Sequence, residues 1–325
     1  MILAETNNKE RFALDLFRLL AAAIVVTSLI FAGSAAAAGT KQKTFDSPEE
    51  AAKAFYDAMK SNDDKKLLAI FGPLAKEVIW TGDPVGNKQR REAFVRAFDL
   101  KNRIDRQGDK MVLVVGEKDW PFPIPIEKAG KQWFFDTKAG KDEILNRRIG
   151  ENELSTIQTM LAIVDAQREY AMKDIHGDGI PEYAQKFFSD PGKKNGLYWE
   201  TKEGEEPSPL GPAAAQAKRE GYTGKKSGDK PSPFHGYYYR MLKAQGKNAA
   251  GGGYDYVVKG RMIGGFAAVA YPAKYGSSGV MTFIVNHDGT VYQKDLGRNT
   301  AKTAEAMKVY DPGPGWKKVE DRPKQ

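Results

Sequence analysis

The chain contains no cysteine and only three histidines among its 325 residues. The absence of cysteine excludes a disulfide framework, catalysis by a thiolate, metal sites built from thiolates and a lipid anchor on an N-terminal cysteine. His176, His235 and His287 all fall in predicted loops or turns. A catalytic triad that used one of them would therefore have to be assembled from distant parts of the chain.

The sequence also lacks a glycine-rich phosphate-binding loop, because the glycine clusters at 251–253 and 260–265 have neither the spacing nor the strand-to-helix context. The segment Gly276–Gly279 does not have the Gly-x-Ser-x-Gly spacing of a nucleophile elbow, and a strand follows it. We interpret it as a hairpin loop. Whether the protein is an enzyme stays uncertain, and the absence of a recognisable catalytic set favours a protein that is not one.

Acidic residues are outnumbered by basic ones, 42 against 50, which gives a formal net charge of +8. A basic surface suits an anionic partner, and we expect anionic components of the cell envelope rather than nucleic acid. The alternative is an ordinary lysine-rich surface that keeps the protein soluble, since the two signs of charge are interleaved. The sequence identifies no particular partner.

Residues 1–38 have the pattern of a signal peptide. Basic residues precede an apolar run over 19–31, and small residues at 34–38 offer cleavage sites. The alternative is a membrane anchor over 19–38, since about 20 apolar residues span a bilayer. Either interpretation predicts that the bulk of the chain is periplasmic or secreted, with any membrane contact made through this segment.

Residues 39–140 are predicted to form a small α+β unit. Ser47 can cap its first helix, since the next residues provide a proline for the first turn and a glutamate that completes a capping box. A third helix is predicted over 88–104. Its arginines, among them Arg90 and Arg91, are expected to face solvent or a partner.

Strands are predicted after these helices, at 111–115 and 131–137. Prolines between 120 and 126 indicate an edge strand or an extended arm, because proline cannot donate to a ladder. The opening segment, FDSPEEAAKAFYDAMKSNDDKKLLAIF, is similar to the start of the cone-shaped nuclear-transport-factor-like or ketosteroid-isomerase-like domains. That resemblance implies a cone that holds ligands or catalytic acids. The matching positions carry core residues, so it implies no catalytic residue.

Residues 141–310 are predicted to form a second unit, in which a long helix lies on an antiparallel sheet. We expect a short helix over 142–149, a break at Gly150, and a long helix over 153–173 that Asn152 caps. The sheet is predicted as a meander of three strands within 265–295, with a hairpin turn at Asp288-Gly289.

Two further segments of the second half have distinctive composition. Residues 188–254 are rich in Gly, Pro, Lys and Ser, which predicts a functional loop or a mobile insertion. Residues 311–325 are predicted to be a charged, proline-rich tail.

Two segments of the second half resemble the globular part of type IV pilins and pseudopilins: STIQTMLAIVDAQREYA and GGFAAVAYPAKYGSSGVMTFIVNHDGTV. The resemblance implies a long helix packed on a pilin-like meander. It does not imply pilus assembly, because the whole first unit separates the apolar N-terminal segment from this helix and no prepilin-type cleavage site is evident.

One loop resembles a calcium-binding loop. Asp174, His176 and Asp178 occupy positions one, three and five of the template, a glycine takes position six and Glu182 falls at nine. His176 replaces an oxygen ligand, and Gln185 replaces the bidentate glutamate at position twelve. The alternative is a polar turn whose aspartates satisfy local amides. Calcium is the one cofactor that the sequence suggests.

An aromatic stretch offers a second candidate site. Tyr237, Tyr239 and Arg240 are predicted on one strand, where tyrosine rings could stack on sugars or bases beside a cation. The alternative interpretation is an alternating strand that buries one tyrosine face in the core.

The segments GDGIPEYA, KNGLYWE, GYYYRMLKAQG and FAAVAYPAKYGSSGVMTFIVNHDGTVYQKDLG closely resemble a bacterial family of exported proteins known as domain of unknown function 2950. The resemblance covers nearly the whole chain after residue 38. It implies an envelope or secreted protein of helices and sheet. It implies no reaction and no catalytic residues.

The sequence thus predicts an exported α+β protein with a non-catalytic binding or structural role in the cell envelope. One alternative is a hydrolase of envelope polymers that uses His235 or His287 as base. Another is an extracellular module stabilised by calcium at 174–182.

Overall fold

A computed structural model describes residues 42–222 and 232–320. The signal peptide predicted over 1–38 and the last five residues of the predicted tail lie outside this description. Within the described residues, no helix has both the length and the apolar character needed to cross a bilayer.

The first unit opens with helices α1 (Pro48–Lys60), α2 (Asp64–Phe71), α3 (Ala75–Ile79) and α4 (Pro84–Leu100), with a 3₁₀ turn at Gly72–Leu74. The amide of Glu50 donates to Ser47 Oγ at 3.0 Å, which confirms the predicted cap of α1. Helix α4 begins and ends four residues earlier than predicted. Its cap is Asp83, whose carboxylate accepts the amide of Gly86 at 2.9 Å, and Pro84 fits the first helical turn.

The sheet of the first unit contains β1 (Asn102–Gln107), β2 (Lys110–Val115), β3 (Trp120–Pro121), β4 (Ile126–Ala129) and β5 (Gln132–Phe135). The strands are antiparallel in the order β1-β2-β4-β5, and the short β3 also pairs with β2. Strand β1 was not predicted, because its residues, NRIDRQ, are polar and show no alternation of apolar side chains. Helices and sheet enclose a phenylalanine-rich core.

One helix joins the two units. Helix α5 (Thr137–Met172) runs without interruption for 36 residues from its cap at Asp136. The predicted break at Gly150 and the predicted cap at Asn152 are therefore wrong. A glycine inside a helix costs only about 1 kcal/mol relative to alanine, and burial of the helix against both units outweighs that cost. The boundary predicted at 140/141 falls within the first two turns of α5.

The second unit contains α6 (Gly211–Arg219), β6 (Tyr237–Leu242), β7 (Ala244–Gln245), β8 (Tyr254–Asp255), β9 (Val257–Val258), β10 (Arg261–Met262), β11 (Ala267–Pro272), β12 (Met281–Asn286), β13 (Tyr292–Asp295), α7 (Thr300–Ala306) and β14 (Lys317–Lys318), with a 3₁₀ turn at Gly297–Asn299. Strands β11, β12 and β13 form the predicted meander, which β6 and β14 extend to five antiparallel strands in the order β14-β13-β12-β11-β6. Gly289 has a φ of 83° at the predicted turn between β12 and β13. Part of the predicted tail thus belongs to this sheet.

The core of the second unit is closely filled. Ala267, Ala268, Val269 and Ala270 of β11 are fully buried, as are Phe283, Ile284 and Val285 of β12. Two successive strands without an exposed face show that both sides of the sheet are covered, by helices and by loops. The molecule is therefore an α+β protein, as predicted.

Candidate functional site

The first unit encloses a cavity of about 550 Å³ between its helices and strands β2 and β3. Its apolar wall is formed by Phe55, Leu67, Phe71, Phe94, Val115 and Phe122. Trp120 and Arg147 lie at its exposed side, where the guanidinium of Arg147 stacks 5.2 Å from the centre of the Trp120 ring. The volume lies within the range of roughly 300–1,000 Å³ that is typical of small-molecule sites.

Two helices place charged side chains in the cavity wall, and the lining residues have the same sequence spacing in both helices. Helix α4 contributes Asn87, Arg90, Arg91 and Phe94, and helix α5 contributes Ile144, Arg147, Arg148 and Glu151. Each set follows the i, i+3, i+4, i+7 pattern of one helix face. Sequence reasoning missed the cavity, but an Arg-Arg pair within an apolar helix face, repeated on two helices, is the signal that could have indicated it.

Arg148 is the most deeply buried charge in the cavity wall, with 6% of the residue exposed. Its guanidinium donates to the carbonyl of Val78 and, at 3.3 Å, to Ser277 Oγ. No carboxylate of the described residues lies within ion-pair distance of it. Burial, together with the nearby charge of Arg90, lowers the pKa of Arg148 to about 10.

Arg90 is also incompletely satisfied. Its Nη2 donates to Asn152 Oδ1 at 2.6 Å, whereas its Nε and Nη1 are buried and have no hydrogen-bond partner within the described structure. Glu151 Oε2 lies 3.4 Å from Nε but accepts no hydrogen bond from it, and the Glu151 side chain is largely exposed.

The other two arginines of the cavity have carboxylate partners. Arg91 donates to Asp64 at 2.5 Å and also contacts Asn62. The prediction that Arg91 faces solvent or a partner is wrong, because α4 turns it inward toward α2. Arg147 donates to Glu143 at 2.6 Å, one helical turn away.

The cavity wall is linked to the second unit through the Gly276–Gly279 loop. Asn152 Nδ2 donates to the carbonyl of Ser278 at 2.7 Å, and the hydroxyl of Ser277 donates to the carbonyl of Trp80 at 3.1 Å. Both serines are buried and hydrogen-bonded to backbone or to arginine. The loop connects β11 to β12, as the hairpin interpretation predicted, and it joins the units.

The structure brings the residues of the calcium-like loop together around an arginine. The carboxylate of Asp174 accepts the amides of Asp178 and Gly179 at 3.1 and 3.0 Å. Arg261 donates to Asp178 and to Glu182, the latter at 2.8 Å.

The imidazole Nε2 of His176 lies 2.7 Å from the other oxygen of Glu182. Across residues 42–222 and 232–320, no group of three or more His, Asp or Glu side chains has an arrangement that could hold a metal ion. A calcium ion in this loop would have to displace Arg261, and calcium binding here stays a prediction.

The aromatic strand does not present its predicted ligand-binding face. Tyr237 is fully buried, and its hydroxyl donates to the carbonyl of Met281 at 3.0 Å. Burial raises the pKa of Tyr239 to about 12, and Arg240 donates to the carbonyls of Ala304 and Met307. Because these side chains are occupied inside the molecule, they are not free to stack on a ligand. The alternative interpretation, a buried tyrosine face, describes this strand.

None of the histidines is hydrogen-bonded to a serine or threonine hydroxyl in the described structure. His235 Nε2 lies 3.2 Å from Glu220 Oε2, and His287 Nε2 lies 3.8 Å from Asp288 Oδ1. A hydrolase that uses His235 or His287 as base stays a prediction.

The family described as protein of unknown function (DUF2950) matches residues 42–319. The chain belongs to this family. No curated protein and no solved structure matched it. The comparisons thus confirm the resemblance to this family and do not confirm the resemblance to type IV pilins. Membership of DUF2950 assigns no activity, so the cavity is the feature from which function has to be argued.

Proposed function

We propose that this DUF2950 member is an exported, non-catalytic binding protein of the cell envelope that holds an apolar ligand in the cavity of its first unit. The observation that carries the proposal is a space of about 550 Å³ within a phenylalanine-rich core. Protein interiors are normally close-packed, and apolar side chains that line an open cavity of this size give up burial that would stabilise the fold. A ligand that fills it would recover the missing contacts.

Export is supported by the sequence of residues 1–38, which has the charge and hydropathy pattern of a signal peptide. A periplasmic or secreted binding protein would meet lipids and other apolar or amphipathic molecules of the envelope. Cell fractionation of the full chain, with and without residues 1–38, tests this part of the proposal. Retention of the full chain in the cytoplasm would contradict it.

Ligand binding is tested with N-phenyl-1-naphthylamine, a neutral apolar dye whose fluorescence increases in apolar surroundings. We expect saturable binding to the wild-type protein and a loss of at least tenfold in affinity in Val78→Phe, which fills part of the cavity. Val258→Phe is the matched control, because Val258 is exposed on β9 far along the chain from the cavity wall. Absence of dye binding, or equal binding by both variants, would overturn the proposal.

A further inference from the structure

Two of the four arginines in the cavity wall have no carboxylate that completes their hydrogen bonding. Arg148 donates only to a carbonyl and a serine residue, and Arg90 leaves two of its donors unpartnered. Buried charges in proteins are nearly always paired, because an unpaired charge loses its solvation without compensation. Arg91, in the same wall, follows that rule through its pairing with Asp64, and the more exposed Arg147 is paired with Glu143.

Arg90 and Arg148 are close enough for their charges to interact. They reach the cavity wall from different helices, and the positive charge of Arg90 repels that of Arg148. Two like charges in a partly apolar wall repel each other, and an anion placed beside both relieves the repulsion. The guanidinium group is suited to this role, since its planar donors match the two oxygens of a carboxylate.

Nearby residues of the described structure supply only part of that anion. Glu151 lies 3.4 Å from Arg90 Nε, but its side chain is largely exposed and it accepts no hydrogen bond from Arg90, and no carboxylate of the described residues lies within ion-pair distance of Arg148. Asn152, the partner of Arg90 Nη2, is neutral and at the same time donates to the carbonyl of Ser278. The wall therefore combines a large apolar surface with one cationic region, and the chain itself satisfies the hydrogen-bond donors of that region only in part.

We infer that the ligand is a single-chain amphiphile with a carboxylate head, whose chain fills the apolar cavity and whose head pairs with Arg90 and Arg148. This inference rests on the proposed function, since it names the chemical class of the ligand for the same cavity. It also assigns the two arginines the role of selecting an anionic over a neutral amphiphile.

The test compares dodecanoate with dodecanol, which share the chain and differ in the charge of the head. Calorimetric titration or displacement of the dye gives both affinities. We expect the wild-type protein to bind dodecanoate about tenfold to a hundredfold more tightly than dodecanol, as hydrogen bonds to charged groups typically contribute. Arg90→Met and Arg148→Met are expected to remove most of this preference, measured as the ratio of the two affinities in each variant.

Arg147→Met is the matched control, because Arg147 lies in the same cavity wall but is paired with Glu143. It should keep the preference for dodecanoate. If Arg148→Met does not fold, Arg90→Met alone still decides the point. Equal binding of the two probes by the wild-type protein would overturn the inference and leave the proposed function standing. Binding of the dye and of neither amphiphile would also overturn the inference, whereas failure of all three probes would overturn the proposed function.

Discussion

The two units of this DUF2950 protein differ in how their cores are packed. In the second unit, strands β11 and β12 are buried on both faces, and their side chains pack beside fully buried aromatic residues such as Tyr237, Tyr256 and Phe266. In the first unit, helices and sheet enclose a cavity of about 550 Å³ with arginines in its wall. The difference suits the proposed function, in which the second unit supplies stability and the first gives up part of its stability to keep a binding space.

The buried charge of Arg148 shows the size of this loss of folding stability. Its pKa falls below its ordinary value to about 10, which corresponds to roughly 3 kcal/mol of destabilisation. Because the unfolded chain holds this proton more tightly, the penalty is fully present below pH 10 and is relieved as the pH rises above 10. A bound anion would offset the same penalty at neutral pH, so stability and ligand binding are coupled at this residue.

The largest expected effect comes from deleting matched side chains in the two units. Ile284→Ala in β12 should cost about 2–5 kcal/mol, because Ile284 is fully buried among close neighbours. Ile79→Ala should cost less, near the lower end of that range, because Ile79 lines the cavity and already lacks contacts on one side. Urea unfolding at pH 7 measures both. Equal losses would show that the cavity is as closely packed as the second core.

Substitutions that enlarge a buried side chain should test the same difference between the two cores, with a smaller effect on stability. Val285→Phe has to overpack a closed core and should cost about 1–3 kcal/mol, whereas Val78→Phe can extend into the cavity and should cost under about 1 kcal/mol. Thermal unfolding of the two variants beside the wild type provides the measurement. A loss for Val78→Phe as large as that for Val285→Phe would mean that the cavity closes in solution.

Much of the fold could be predicted because local signals agreed with the final packing. The cap at Ser47 and the turn at Gly289 lie where the sequence placed them, since both depend on neighbouring residues alone. The continuous α5 could not be predicted, because the local preference of Gly150 is overruled by contacts with two separate units. Strand β1 is polar and is fixed by pairing with β2, which local patterns do not reveal.

The candidate site was harder to predict than the fold for a related reason. Sequence motifs directed attention to the second unit, to the loop at 174–182 and to the tyrosines of β6. The cavity depends on the absence of side chains in a volume bounded by distant residues, and a one-dimensional pattern does not record an empty space. Arg91 and Arg148 carry the same charge on similar helix faces, and only the structure distinguishes the one paired with Asp64 from the one without a carboxylate.

The smallest expected effect concerns Arg261, a paired arginine of the second unit that contrasts with Arg148. Its guanidinium holds the pKa of Asp178 below its usual range, so this pair stabilises the fold above the ordinary pKa of aspartate, about 3.9, and loses its contribution as the pH falls through the lowered value. Arg261→Met should therefore lower the midpoint of thermal unfolding slightly at pH 7 and by less at pH 3.

The same variant decides between the two interpretations of the calcium-like loop. With Arg261 in place, we expect calcium to leave the unfolding midpoint of the wild-type protein unchanged, because the carboxylates of Asp178 and Glu182 already accept hydrogen bonds from the arginine. In Arg261→Met the same oxygens are released, and calcium should raise the midpoint by mass action unless Asp178→Ala is added as a control. A rise in the wild-type protein that a chelator reverses and Asp178→Ala abolishes would contradict this expectation. It would mean that the ion displaces the arginine, and that the second unit exchanges stability for a ligand, as is proposed for the first.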